Sequence, residues 1–148
     1  MDKVLIDIDI FSEILKGINR RIAARASAYH ANFGYYTICT ITVLEIVKGW
    51  HKCQREDKIQ QFFVEIIEAQ VLTLQLSDAE LAGRIYADLE RTGQPIGLAD
   101  AIIAAMSGDK PLRVYAIAQS LTLVSGNISH YERIQSLGYN LKLDNWRI

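Results

Sequence analysis

The stretch Val4-Leu5-Ile6-Asp7-Ile8 decides the fold class of this chain. It is short, rich in β-branched residues and apolar on both faces, which is typical of a strand covered on both sides in a parallel sheet. Asp9 comes next and is predicted to N-cap a helix over 10–16, which Gly17 would end. A strand followed by a helix is the repeating unit of an α/β protein.

Strands and helices alternate along the rest of the sequence. Further strands are predicted at 35–41, 71–74, 121–124 and 141–143. Further helices are predicted at 20–32, 42–50, 55–69, 77–92, 98–107 and 130–137. Gly34 would end the second helix, and the helix over 98–107 has almost no polar face, so we expect it to be deeply buried. The alternation predicts a parallel sheet with helices on both faces.

Two patterns of Ser or Thr followed three residues later by Glu predict helix N-termini. Thr42 and Glu45 form the first of these capping boxes, and Ser77 and Glu80 form the second. In the helix between them, the apolar spacing predicts that five side chains point inward. These are Ile59, Phe62, Phe63, Ile66 and Ile67.

The composition fits one globular domain over residues 1–148. Hydrophobic residues make up 50% of the chain and charged residues 22%, so a full core is available and a disordered protein is excluded. Lys and Arg number 16 against 17 Asp and Glu, for a net charge of −1, which argues against nucleic-acid binding by a bulk positive field. Neither of the glycine-rich phosphate-binding motifs follows a predicted strand.

The cysteines and the apolar runs predict a cytoplasmic protein. Cys39 and Cys53 form no metal-binding or redox motif, so we expect buried free thiols in a reducing compartment. The first residues lead directly into a strand and lack the features of a signal peptide. Apolar runs such as 101–106 are far shorter than the roughly 20 residues that a membrane span requires.

Polar side chains follow several of the predicted strands. Asp7 lies near the end of the first strand, Glu45 and Asp100 lie in first turns of helices, and Asn127 follows the strand over 121–124. In an open parallel sheet, ligands bind beyond the carboxyl ends of the strands. We therefore expect these four side chains to lie at one edge of the sheet.

Each of the four also has an ordinary structural interpretation. Asp7 could be satisfied by backbone N–H groups, and Glu45 could be only the third residue of its capping box. Asp100 could favour a helix dipole, and Asn127 could be a turn residue. Asp7 and Asp100 stand in apolar sequence, however, where an unpaired charge is costly. A divalent cation such as Mg²⁺ or Mn²⁺ would compensate neighbouring carboxylates and would activate water against a phosphodiester.

Five segments of the chain, taken in order, resemble the PIN-domain ribonucleases, and within them the VapC toxins of prokaryotic toxin–antitoxin pairs. The segments are 4–10, 41–49, 93–105, 121–127 and 141–146. The resemblance spans nearly the whole chain. It implies a three-layer α/β/α sandwich with a mainly parallel central sheet and a Mg²⁺-dependent endoribonuclease, with Mn²⁺ as an alternative cation. Asp7, Glu45 and Asp100 match the family's three acidic metal-site positions.

The resemblance also implies supporting roles. Asp9 matches a position that supports the site, and we count Thr42 with it. Ser125 and Asn127 could orient the attacking water or the phosphate by hydrogen bonds. His130 stands where other members carry a carboxylate, and it is either a general acid or a histidine that caps the next helix. Members of the family form homodimers, and a small antitoxin wraps them and blocks the site, so we expect an RNA substrate, a homodimer and a cognate antitoxin.

The sequence departs from the family pattern in two places. Asn127 and His130 leave only three firm carboxylates, which favours one metal ion over two. The segment after Asp100 is longer than usual, which predicts an insertion around 107–115. These departures leave open a catalytically weak or inactive binding module that acts through an antitoxin and operator complex. A phosphatase or exonuclease that uses the same carboxylates is a third alternative.

Contacts to RNA would come from cationic and aromatic side chains. The cationic candidates are Arg20, Arg21, Arg25, Lys48 and Lys52. The aromatic candidates are Tyr29, Tyr35 and Tyr36. The structural alternative for the cationic residues is a solvated helix face, and the alternative for the tyrosines is packing in the core.

Overall fold

A computed structural model describes residues 1–108 and 121–148. The strands are β1 (Val4–Ile6), β2 (Thr37–Cys39), β3 (Gln70–Leu72), β4 (Thr122–Val124) and β5 (Leu143–Asp144). The helices are α1 (Ile8–Lys16), α2 (Arg20–Phe33), α3 (Thr40–Lys52), α4 (Glu56–Glu65), α5 (Leu76–Arg91), α6 (Leu98–Ser107) and α7 (Ile128–Ser136). The insertion predicted around 107–115 lies outside the described residues from position 109 onward.

Every strand pairing in the described part of the chain is parallel. β4 pairs with β1 on one side and with β5 on the other, and β2 pairs with β3. β2 also lies beside β1, so the two ladders are neighbours. The ladder between β1 and β4 places Leu5 opposite Leu123 and Ile6 opposite Val124. The carboxyl ends of these strands therefore lie at one edge.

Two hydrophobic cores cover the opposite faces of β1 and β4, because side chains alternate along a strand. Leu5 and Leu123 pack with the apolar faces of α5, α6 and α7. Val4, Ile6 and Val124 pack with α1, α2, α3 and α4. The order helices, sheet, helices gives the three-layer α/β/α arrangement and confirms the predicted fold class. It also explains why the first strand is apolar on both faces.

Several local predictions are confirmed. α6 spans the predicted residues, and most of its side chains are buried. Gly17 and Gly34 end α1 and α2 with φ of 69° and 82°, a backbone region that glycine enters without steric cost.

The first helix begins two residues earlier than predicted. Asp7, with φ −74° and ψ 160°, is the N-cap of α1, and its carboxylate accepts a hydrogen bond from the Ile8 N–H. Asp9 therefore lies in the first turn, and the prediction that it is the N-cap was wrong. Either aspartate has a side chain that can cap a helix. Because the strand pairing ends at Ile6, the next residue, Asp7, takes the N-cap position.

The predicted capping box of Thr42 and Glu45 is also wrong. Strand pairing stops at Cys39, and α3 begins at Thr40 with no side-chain cap. Thr42 is consequently buried inside the helix, with its Oγ1 3.7 Å from Cys39 Sγ. Glu45 lies in the second turn of α3 rather than the first.

Three further predictions are corrected. The second capping box is formed by Gln75 and Asp78 rather than by Ser77 and Glu80, because α5 begins at Leu76. Phe63 and Ile67 are exposed, at 46% and 76%, because α4 ends at Glu65 and turns only its Ile59 and Phe62 face inward. Cys39 is a buried free thiol as predicted, whereas Cys53 is an exposed one.

No helix in the described ranges is long and apolar enough to span a membrane.

Candidate active site

The carboxyl edge of the sheet gathers the predicted site residues. Asp7 follows β1 directly, and its N–H donates to Val124 O at 2.9 Å, which ties it to the end of β4. Ser125 follows β4, and Asp100 lies in the first turn of α6. Glu45 projects from α3, the helix that follows β2. Four different segments of the chain therefore meet at this edge.

Asp7 is the most buried of the candidate carboxylates, at 4% exposure. Its Oδ1 accepts from the Ile8 N–H at 2.8 Å. Its Oδ2 accepts from Ser125 Oγ at 2.9 Å and from Tyr131 OH at 2.9 Å. Burial raises the pKa of this carboxyl above its ordinary value and the nearby Asp9 adds to the rise, whereas these three donors lower it.

Tyr131 connects Asp7 with Asp100. The ring is fully buried in α7, and its hydroxyl also donates to Asp100 Oδ1 at 3.4 Å. Burial and the two neighbouring carboxylates raise the pKa of Tyr131 far above that of a free phenol. Tyr131 is not among the site residues predicted from the sequence. The signal available was a tyrosine on the inward face of a predicted helix, where a buried hydroxyl requires a polar partner.

Glu45 presents a ligand atom that the fold leaves open. Its Oε1 is buried and has no hydrogen-bond partner among the described residues. Burial raises the pKa of this carboxyl, and the negative charges of Asp7 and Asp100 raise it further, against a smaller lowering by Lys48. An unpartnered buried carboxylate oxygen carries a desolvation cost that a bound cation would offset.

Asp100 is held from α7. His130 Nδ1 lies 3.1 Å from Asp100 Oδ2 and 2.8 Å from Asn127 Nδ2. When Nδ1 carries a proton it donates to Asp100, and when it does not it accepts from the Asn127 amide. His130 lies in the first turn of α7, and Asn127 is the helix's N-cap. The side chain of Asn127 thus contacts His130, which in turn contacts Asp100. The backbone N–H of Asn127 donates to Ser125 Oγ at 2.9 Å.

Asp9 belongs to a second cluster beside Asp7. Its Oδ2 accepts from the Gly126 N–H at 2.9 Å and lies 3.4 Å from Arg147 Nη1. A Cβ built at Gly126 would lie 2.5 Å from this oxygen and would also collide with the Arg147 guanidinium. Only glycine permits this approach. Arg147 was not identified from the sequence, because it is distant along the chain and carries no motif.

Other predicted residues have different outcomes. Thr42 is buried, and its one described side-chain hydrogen bond is to Cys39, so the structure does not connect it directly with the carboxylates. Arg25 Nη1 donates to both carboxylate oxygens of Asp144, at 3.1 and 3.2 Å. Tyr29 is 1% exposed and packs in the core, so its ring is not available to stack on a base.

A groove of about 470 Å³ adjoins the site between α1, α3 and α4. Glu45 is among its lining residues, together with the cationic side chains of Lys16 and Lys58. Lys58 Nζ also lies 5.9 Å from the centre of the Trp50 ring, another lining residue. The groove thus combines positive charge with an aromatic surface next to one of the carboxylates.

The carboxylates fit a divalent cation by their chemistry. Carboxylate oxygens are hard ligands that suit Mg²⁺ and Mn²⁺. Within 1–108 and 121–148, no three His, Cys, Asp or Glu side chains form a group that is ready to hold a metal ion. The carboxylates of Asp7 and Asp100 are instead oriented by hydroxyl and imidazole groups, while Glu45 Oε1 stays unpartnered.

Sequence comparison finds related ribonucleases. Ribonuclease VapC2 of Haemophilus influenzae is 29% identical over 150 aligned positions, which cover 99% of each chain. The tRNA(fMet)-specific endonuclease VapC of Shigella flexneri is 28% identical over 123 positions, which cover 81% of this chain and 85% of that one. No family model matches the chain.

Structure comparison finds the same fold in toxin–antitoxin complexes. The DNA-bound VapBC complex of Salmonella typhimurium contains a chain with a TM-score of 0.76 and 24% identity, covering 99% of both chains. VapBC-1 of nontypeable Haemophilus influenzae contains one with a TM-score of 0.75 and 23% identity, covering 98% of both. These likenesses establish the fold.

The parallel sheet between two helical layers is a PIN-like fold. In sequence and in fold the chain is similar to VapC proteins, in agreement with the resemblance of its five motif segments.

Proposed function

We propose that this protein is an endoribonuclease that hydrolyses RNA phosphodiesters with a divalent cation, and that it is the toxin of a toxin–antitoxin pair. The observation that supports the proposal is that Glu45 lies close enough to Asp7 and Asp100 for their charges to act on it, and that its buried Oε1 has no hydrogen-bond partner among the described residues. The relatives' names support the activity, since they are a ribonuclease and a tRNA endonuclease.

Asp7, Glu45 and Asp100 would hold Mg²⁺ or Mn²⁺, directly or through water. When bound, the cation would neutralise charge on the phosphodiester and lower the pKa of the attacking water. Burial raises the pKa of both Asp7 and Glu45, and the charges of Asp7 and Asp100 raise that of Glu45 further, which supplies the reason for a counter-charge at this point.

The neighbouring side chains orient these carboxylates. Ser125 fixes Asp7 through Oδ2 and also accepts the Asn127 N–H, so it ties the end of β4 to the site. His130 fixes Asp100 through Oδ2. Side chains that hold metal-binding carboxylates in this way are expected to affect metal affinity and rate without touching the substrate.

RNA would approach along the groove between α1, α3 and α4. Lys16 and Lys58 line this groove, and Lys48 lies near Glu45 on α3, so phosphates next to the cleaved bond would meet positive charge. Arg20, Arg21 and Lys52 remain candidates for outer phosphate contacts, and Tyr35 and Tyr36 for base stacking. Arg25 is a weaker candidate because Asp144 already pairs with it.

A cognate antitoxin and a homodimeric state complete the proposal. The structural neighbours are VapBC complexes, one of them bound to DNA and another to a promoter fragment. We therefore propose that an antitoxin blocks the catalytic edge of this protein and takes it into a DNA-bound complex. Size-exclusion chromatography with light scattering would test the homodimer.

The decisive experiment compares circular and linear RNA as substrates. The protein is incubated with both in Mn²⁺ or Mg²⁺ and, separately, in EDTA. Opening of the circle that requires the cation and is lost in Asp7→Asn would support the endonuclease. Glu80→Gln is the matched control, because this carboxylate pairs with Arg84 on the exposed face of α5, away from the site.

Other outcomes select the alternatives. Degradation of linear RNA alone would indicate an exonuclease. Cleavage that persists in EDTA or in Asp7→Asn would overturn the proposed site. A folded protein that cleaves no RNA and binds no Mn²⁺ would favour the inactive binding module.

A further inference from the structure

Tyr131 places one hydroxyl between two of the three proposed metal-binding carboxylates. Its OH lies 2.9 Å from Asp7 Oδ2 and 3.4 Å from Asp100 Oδ1. The phenol ring packs in the core with residues such as Leu123 and Ile134 and is fully buried. A phenylalanine would fill the same space, so the hydroxyl is the feature that requires an explanation.

The hydrogen bonds to Asp7 Oδ2 leave that oxygen without a free lone pair. A carboxylate oxygen has two lone-pair sites. At Asp7 Oδ2 one is taken by Ser125 Oγ and the other by Tyr131 OH. A cation that binds this oxygen must therefore displace one of the two donors. Glu45 Oε1 offers the opposite situation, since nothing among the described residues donates to it.

Of the two donors, Tyr131 is the one that bears on the pair of carboxylates. Ser125 donates to Asp7 only, whereas the phenol proton faces Asp7 and Asp100 together. A neutral donor between two negative groups offsets part of their repulsion. A bound cation would reduce the same repulsion. The phenol and the cation thus compete for the same oxygens.

We propose that Tyr131 is a positioning residue that holds Asp7 and Asp100 in the absence of a divalent cation and thereby lowers the affinity of the site for that cation. The inference rests on the proposed metal-dependent function. It assigns to this chain a built-in competitor for its cofactor, located on α7, one residue beyond His130 on the same helix.

The test measures binding of Mn²⁺ alone, followed by electron paramagnetic resonance, to the wild-type protein and to Tyr131→Phe. We expect the variant to bind Mn²⁺ about fivefold or more tightly, because a hydrogen bond to a charged group no longer has to be broken. Tyr139→Phe is the matched control. Its hydroxyl donates to Asp88 Oδ2 at 2.5 Å outside the site, so Mn²⁺ affinity should not change.

Thermal unfolding provides a second readout that a purely structural role would not produce. In EDTA, Tyr131→Phe should unfold at a lower temperature than the wild type, because the two carboxylates then repel each other without a donor between them. Saturating Mn²⁺ should largely close this gap. For Tyr139→Phe, the gap to the wild type should be the same in EDTA and in Mn²⁺.

The outcomes separate this inference from the function on which it rests. If the wild type binds Mn²⁺ and folded Tyr131→Phe binds it equally or more weakly, the competing role of Tyr131 is overturned and the cation site stands. If neither protein binds Mn²⁺ and neither is stabilised by it, the proposed cation site itself is overturned, and the inference with it.

Discussion

Arg147 Nη1 lies 3.4 Å from Asp9 Oδ2 and 2.2 Å from the position that a Cβ on Gly126 would take. The last residues of the chain are thereby tied to the loop that follows β4, next to the proposed catalytic edge. The Gly126 N–H donates to the same Asp9 oxygen at 2.9 Å. Asp9 thus links α1, the loop after β4 and the C-terminal segment around one carboxylate.

Gly126→Ala is predicted to break this link. The added methyl group would collide with the Arg147 guanidinium and lie 2.5 Å from Asp9 Oδ2, so both side chains must move. We expect a loss of about 1–2 kcal/mol in the free energy of unfolding, measured by urea denaturation. Arg147→Ala alone should cost less than about 1 kcal/mol, since the pair is partly exposed.

The double variant tests whether the clash with Arg147 causes the loss of stability in Gly126→Ala. In the Arg147→Ala background, Gly126→Ala has one fewer clash to relieve, so its cost should be smaller than in the wild type. Equal costs in both backgrounds would show that the guanidinium does not limit this position.

Ser125→Ala should reduce both stability and activity. The Ser125 hydroxyl is fully buried, donates to Asp7 Oδ2 and accepts from the Asn127 N–H. Its removal leaves a backbone donor unsatisfied, which costs about 1–3 kcal/mol in unfolding free energy. We expect RNA cleavage to fall about 10- to 100-fold, as for other residues that orient a metal ligand. Unchanged cleavage at saturating Mn²⁺ would argue against an orienting role.

The raised pKa of Asp7 gives the protein a definite pH dependence. Burial raises the pKa above the ordinary value of 3.8, so the folded state favours the protonated carboxyl. Its contribution to stability is therefore fully present below the unfolded pKa and is lost as the pH rises through the folded pKa. Glu45, whose pKa is raised from 4.5, acts in the same direction.

Asp7→Asn should consequently unfold at a higher temperature than the wild type at pH 7 in EDTA, by a few degrees. Asparagine is as good an N-cap as aspartate, so the start of α1 is preserved. The difference should shrink as the pH falls, because the raised pKa favours protonation of the wild-type carboxyl. Melting curves in EDTA between pH 4 and 7.5 test this. A variant that is less stable than the wild type at every pH would contradict the predicted direction of the stability change.

Glu45→Gln should separate cation binding from folding. Glu45 Oε1 has no hydrogen-bond partner within the described ranges, so neutralising the side chain removes repulsion without removing a hydrogen bond of that oxygen. We expect an unfolding free energy equal to or above that of the wild type, together with at least a tenfold loss of Mn²⁺ affinity. Unaltered Mn²⁺ binding would place the cation elsewhere.

The features of this site that depend on residues close together in the sequence could be predicted from it. The apolar strand ending in Asp7 and the apolar helix beginning near Asp100 each determine where a carboxylate lies relative to the sheet edge. The positions of Gly17 and Gly34 as helix ends follow from backbone freedom that the residue type alone confers.

The features that were missed depend on tertiary contacts. Tyr131 and Arg147 reach the site only because α7 and the C-terminal segment fold back on β1, and no spacing along the chain encodes that approach. At Thr42, by contrast, a local sequence pattern predicted a capping box that α3 does not have. Its spacing to Glu45 satisfies a capping box, but the length of the β2–β3 ladder decides where α3 begins.

His130 is predicted to orient Asp100 rather than to protonate the leaving group. Its Nδ1 lies 3.1 Å from Asp100 Oδ2 and 2.8 Å from the Asn127 side chain, so this nitrogen is already occupied by the protein. His130→Ala should lower cleavage about 10- to 100-fold and weaken Mn²⁺ binding by misplacing Asp100. A substrate with a sulfur leaving group, which needs no proton donor, distinguishes the two roles. If His130 orients Asp100, the variant should be as defective on this substrate as on normal RNA, whereas recovery of the rate would assign His130 as the general acid.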